Sequence, residues 1–213
     1  MLSQIDQDLF SDCCEVVELP LSQQHVFLIF KNASSSLRHQ CQYNKGFRYF
    51  NNEITKLTSI TVYLRDPVDR YISGASTFVS LLDQQGLDKN TVLYFIKKYN
   101  FLNNHYLPQF HWLLNLSRFL NSDCRLVLKD IAEVVTVTEF NDNPYPNKLV
   151  HEIHAPTSLN AWFHLDNVLR ELIGQELTFG EIVNYIKTTQ PELWELVFVP
   201  VLALHKPLWT AQD

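Results

Sequence analysis

The chain has 213 residues, enough for one domain (1–213) with a sizeable core, and its 46% hydrophobic content excludes a disordered polymer. A net charge of −6 argues against a general nucleic-acid binder, which needs a basic face. No apolar run approaches the roughly 20 residues of a membrane helix, and the acidic, polar N-terminus does not read as a secretory signal, so a cytoplasmic protein without a membrane partner is expected.

In chain order, residues 1–24 read as a polar lead-in. His25-Val-Phe-Leu-Ile-Phe30 is a short apolar run with β-branched and aromatic residues, which predicts a buried strand. Lys31-Asn-Ala-Ser-Ser-Ser36 follows, and because serines are good N-caps a helix is predicted to begin within Ser34–Ser36. Ser59-Ile-Thr-Val-Tyr-Leu64 predicts a second strand. It leads into Arg65-Asp66-Pro67, where Asp66 can cap a helix running to about Leu82 and Pro67 suits its first position. Further helices are predicted over Thr91–Tyr99 and from Pro108 through Phe119, and a third strand over Cys124–Lys129. Residues 141–158 carry three prolines and read as a loop. Three more helices are predicted, over Leu159–Ile173, Phe179–Thr188 and Pro191–Leu204. Strands alternating with helices predict an α/β fold, three layers deep, with a mostly parallel central sheet. Such sheets bind ligands at the carboxyl ends of their strands, where both Lys31 and Arg65 are expected.

Charge is uneven along the chain. Between Lys31 and Ser73 seven basic residues stand against three acids, a pattern that fits a local anion site within an acidic protein. Cys13, Cys14, Cys41 and Cys124 match no zinc spacing, so ordinary reduced thiols and no metal are expected.

The chemistry concentrates in two segments. After the first strand, the N–H groups at a helix start and the hydroxyls of Ser34, Ser35 and Ser36 offer donors to an anion, and Lys31 adds a point charge. A Walker A loop would need glycines and a Gly-Lys-Ser/Thr ending; here Lys comes first and glycine is absent. After the second strand, Arg65 offers a planar fork suited to phosphate, and Ser73 lies about two helical turns further on.

These segments, strand–Lys31-x-x-Ser34-Ser35-Ser36 and Tyr63-Leu-Arg65-Asp66-Pro67-Val-Asp-Arg-Tyr-Ile-Ser73-Gly74, resemble the two cofactor motifs of sulfotransferases that use 3′-phosphoadenosine 5′-phosphosulfate (PAPS). The resemblance covers residues 26–78 and implies a P-loop-like sulfotransferase fold. It implies that Lys31, Asn32, Ala33, Ser34, Ser35 and Ser36 line the 5′-phosphosulfate and that Arg65 and Ser73 hold the 3′-phosphate. PAPS would be the cofactor, PAP the product, and a small molecule or glycan the acceptor. Asn104-His105-Tyr-Leu-Pro-Gln109 is similar to the His-x-x-Pro-Gln segment of carbohydrate-type sulfotransferases, which implies a base role for His105. Glu53, 22 residues after Lys31, is the rival base by comparison with glycan sulfotransferases. Lys129-Asp130 resembles a strand-end segment of the family and is expected to be structural, and His154-Ala-Pro-Thr-Ser158 is weakly similar to its late nucleotide loop. The apolar stretch Glu192–Leu208 is expected to be a core helix or a homodimer surface. Two other functions remain open on these residues: a phosphoryl transferase with Asp130 as the metal-binding carboxylate, and a non-catalytic anion- or nucleotide-binding module.

Overall fold

A computed structural model describes residues 14–84, 90, 108–135 and 160–195. Its centre is a six-stranded sheet. The strands are β1 (Glu15–Leu19), β2 (Gln24–Phe27), β3 (Arg48–Phe50), β4 (Ser59–Leu64), β5 (Arg125–Asp130) and β6 (Glu176–Leu177), in the order β3-β1-β2-β4-β5-β6. The helices are α1 (Ser34–Tyr43), α2 (Pro67–Gln84), α3 (Gln109–Ser117), α4 (Ala132–Val135), α5 (Asn160–Glu171), α6 (Phe179–Thr189) and α7 (Pro191–Leu193), with a 3₁₀ helix over Asn51–Lys56.

The fold is α/β, and the sheet is mixed. β2, β4 and β5 run parallel at its centre, while β1 and β3 on one side and β6 on the other pair antiparallel. The expected parallel sheet is therefore its core only. The difference comes from β1, β3 and β6. β1 lies in the stretch whose sequence reads as a polar lead-in, yet Val16 and Val17 are fully buried. Its Glu15 is accommodated because Arg38 and Arg48 both bind its carboxylate, at 2.7 and 2.6 Å, tying α1 and β3 to the strand. These contacts hold Glu15 below its ordinary value although burial pushes it up.

The strands present alternate side chains to two apolar clusters, as a period of two requires. Val16, Phe27, Ile29, Val62 and Leu64 join one, with residues of α3, α5 and α6. Val17, Val26, Leu28 and Tyr63 join the other, with Leu37 and Cys41 of α1 and Val134 of α4. The chain returns from α1 to β3 through Gly46, where a Cβ would collide with the Glu18 carbonyl. Leu193 and Trp194 at the start of the C-terminal apolar stretch are buried in the first cluster; residues 196–208 lie outside the described residues, as does the 91–99 helix. No described helix is long and apolar enough to cross a membrane.

Candidate functional site

The site is built where β2 and β4 end. Between β2 and α1 the backbone takes a left-handed conformation twice, at Lys31 (φ 69°) and at Ala33 (φ 57°), but not at Asn32 between them. Each positive φ costs a non-glycine residue roughly 1–2 kcal/mol. Such alternation turns successive N–H groups toward one concavity, the geometry of an anion-binding nest. Asn32 donates its backbone N–H to Ile29 O (3.1 Å), and Ser36 and Leu37 both donate to Ala33 O (3.0 Å). Among the described residues no group accepts from the N–H groups of Ala33, Ser34 and Ser35. The helix does begin at Ser34, but its N-cap is Ala33 and no side chain caps it. The serines therefore contribute main-chain donors first. Ser34 and Ser36 are buried and Ser35 is exposed.

Arg65 follows β4 directly. Its Nη1 donates to the Lys31 carbonyl at 3.3 Å, which joins the two strand ends. Asp66 caps α2 as expected, its Oδ1 accepting from the Val68 and Asp69 N–H groups at 3.0 Å. Its Oδ2 meets Arg170 of α5 at 3.4 Å, and Arg170 also meets Asp130 at 3.6 Å. Ser73 lies two turns along α2, half-buried.

Three cations share this region. The Lys31 ammonium is held below its ordinary value by burial first, then by the charges of Arg65 and Arg70. Arg70, on α2, is 1% exposed, and burial pulls its guanidinium down to about 10. Grouped like charges disfavour one another, and a bound anion removes that cost.

Two residues not singled out as site residues in the sequence hold this arrangement together. Gln109, at the start of α3, is completely buried. Its Oε1 accepts from Asn32 Nδ2 (2.7 Å) and from the Arg65 N–H (2.8 Å), and its Nε2 donates to the Arg65 carbonyl (2.8 Å). Asn32 Nδ2 also donates to the Tyr63 carbonyl at 2.8 Å. Asp166 of α5 caps α3, accepting from the Gln109 and Phe110 N–H groups at 2.8 and 2.9 Å. Burial pushes the Asp166 carboxyl up to about 6, against these hydrogen bonds and the charge of Arg70. The readable signal for Asp166 was an acid three residues from each of Phe163 and Leu169, both buried; Gln109 was visible only within the His105 segment.

The other expected residues fall elsewhere. Glu53 sits in the 3₁₀ helix after edge strand β3, two strands from β2, and its Oε2 accepts from the Phe50 N–H at 3.0 Å. It caps its own turn. His105 and residues 154–158 lie outside the described residues. Lys129 and Asp130 have separate partners: Lys129 meets Glu133 at 3.3 Å, and Asp130 caps α4 through the Ala132 N–H at 2.8 Å. Cys14, Cys41 and Cys124 are buried, and no group of three His, Cys, Asp or Glu suited to a metal occurs among the described residues. A cleft of about 330 Å³ between α1 and α4 is walled by Leu37, Gln40, Tyr63, Lys129 and Glu133 and includes neither Lys31 nor Arg65. No protein-family model, curated protein or solved structure matches the chain.

Proposed function

We propose that this protein is a sulfotransferase that moves a sulfuryl group from PAPS to a hydroxyl or amine, with a carbohydrate as the favoured acceptor. The observation that carries the proposal is the junction of the two strand ends. A nest with open N–H groups at Ala33, Ser34 and Ser35 adjoins Lys31, and Arg65 is bonded to the Lys31 carbonyl. The residues fit a ligand with two phosphates, because donors of two kinds lie at two adjoining places. On this reading the parallel centre and its helical faces form the three-layer, P-loop-like sulfotransferase fold, and the antiparallel strands extend it.

PAPS, when bound, supplies the sulfuryl group and departs as PAP. The loop N–H groups hold the 5′-phosphate, and Arg65 with Ser73 holds the 3′-phosphate. Lys31 offsets the charge that develops on the departing phosphate, and its crowding by Arg65 and Arg70 favours that partner. The acceptor hydroxyl gives its proton to His105; Glu53 is the weaker choice because its carboxylate is engaged by Phe50.

Calorimetric titration with PAP, AMP and ATP, without and with magnesium, tests the proposal. Magnesium-independent binding of PAP, tighter than AMP and weakened in Arg65→Ala, is expected. Magnesium-dependent ATP binding without PAP binding would replace sulfuryl transfer with phosphoryl chemistry.

A further inference from the structure

We infer that Gln109, held by Asp166, is a positioning residue that sets the distance between the two anion-binding places and so makes the site selective for the span between two phosphates. The inference rests on the two-phosphate reading of the site and assigns its selectivity to a side chain that need not touch the ligand.

Gln109 grips the peptide of Arg65 on both sides. One end of its amide accepts the Arg65 N–H and the other donates to the Arg65 carbonyl, both at 2.8 Å, as a neighbouring strand would. The same Oε1 accepts from Asn32 Nδ2 at 2.7 Å. Asn32 stands between the two left-handed residues of the loop, so this oxygen joins the nest to the Arg65 main chain. The orientation of both amides follows from their partners. Asn32 Nδ2 faces two oxygens, Tyr63 O and Gln109 Oε1, and Gln109 Nε2 faces Arg65 O.

The grip is anchored from behind. Asp166 takes the N–H groups of Gln109 and Phe110, fixing the first turn of α3, and its Oδ2 lies 3.5 Å from Gln109 Nε2. Asp166 is 1% exposed and Gln109 fully buried, so both are shielded from bulk water. The result is a rigid path from α5 through α3 to both strand ends. A ligand that touches one place gains nothing from this rigidity. A ligand that bridges both gains from having the second place held at the right distance.

The experiment compares the intact protein with Gln109→Leu and Asp166→Asn. The probes are inorganic phosphate, AMP, PAP (3′,5′) and its 2′,5′ isomer, and hydrogen exchange at the Arg65 amide reads the grip itself. In the unaltered protein PAP is expected to exceed both AMP and the 2′,5′ isomer by about tenfold or more, as a bridging ligand should. In Gln109→Leu the Arg65 amide exchanges faster, and both preferences shrink severalfold while AMP and phosphate affinities change far less. Asp166→Asn keeps one acceptor for the α3 N–H groups and gives the same pattern more weakly, which covers the case in which Gln109→Leu does not fold. An Arg65 amide still protected in Gln109→Leu overturns the inference, as does an unchanged preference with the grip lost. If the unaltered protein holds PAP no better than AMP, the sulfotransferase reading fails instead. The exchange rate of the Arg65 amide then decides the inference, and equal protection in both proteins overturns it.

Discussion

Two helix starts in this molecule solve the same problem in opposite ways. Helix α6 is closed by its own sequence. Thr178 Oγ1 accepts the Glu181 N–H at 3.2 Å, and Glu181 Oε2 accepts the Thr178 N–H at 2.7 Å, forming a reciprocal capping box. Helix α1 has three serines at its start and uses none of them as its N-cap; its N-cap is a left-handed alanine. Helices α2 and α3 are closed by the carboxylates of Asp66 and Asp166. On the proposed reading, the helix start without a local cap keeps its donors for the anion.

Breaking a closed start should cost stability, and breaking the open one should cost binding. The largest effect is expected for Asp166→Ala, which uncaps α3 and strips the buried Arg70 of an opposing charge. Each buried N–H left without its acceptor costs about 1–3 kcal/mol, and denaturant unfolding will read the loss. Next comes Arg65→Ala, expected to lower PAP affinity about 10- to 100-fold, the worth of roughly 1.5–3 kcal/mol for a charged hydrogen bond, with an unfolding midpoint close to that of the unaltered protein. Thr178→Ala should cost about 1 kcal/mol of stability and leave PAP affinity unchanged. The smallest change is Ala33→Gly. It relieves the left-handed strain at φ 57° but adds freedom to the unfolded chain, for a net gain of up to about 1 kcal/mol. A loss of stability in Ala33→Gly would mean that the loop does not hold that conformation.

Proton linkage separates the same two kinds of site. Lys31 is held below its ordinary value, so its charge is lost earlier as pH rises, and PAP affinity should fall through that window. Lys31→Arg, which stays charged, should flatten the fall. Asp166 behaves oppositely, as a stability group. Its carboxyl rises from 3.8 to about 6 on folding, so the native state binds the extra proton between those values. Its stabilising contribution is therefore greatest below 3.8 and is lost as pH climbs to about 6. Asp166→Asn should remove that slope from the stability profile.

The two halves of the site were unequally legible. Ser59–Leu64 reads as a strand because five of its six residues are buried in an unbroken run, and the structure gives it the same bounds. The strand expected over 25–30 overlaps the observed one only at 25–27, since β2 ends at Phe27, after which Leu28 still bonds the Glu15 carbonyl. Asp66 and Pro67 announced α2 by local chemistry alone. What stayed hidden depends on distant partners. Glu15 made β1 look like a polar tail, because Arg38 and Arg48 lie 23 and 33 residues away. β3 and β6, at three and two residues, are too short to show a period. The serines suggested hydroxyl donors, whereas the unusual feature is a pair of backbone angles at Lys31 and Ala33 that no propensity favours. Gln109 works across 44 residues to Arg65 and 77 to Asn32, distances over which a single sequence shows no pattern.

The exposed position of Ser35 has a consequence for how this loop tolerates change. Its contribution is an N–H group, which every residue but proline carries, while its side chain lies in solvent. A saturation library at position 35 should therefore recover almost every amino acid with ligand binding intact. The same library at Asn32, whose amide is 2% exposed and bonded to both Tyr63 and Gln109, should recover almost none.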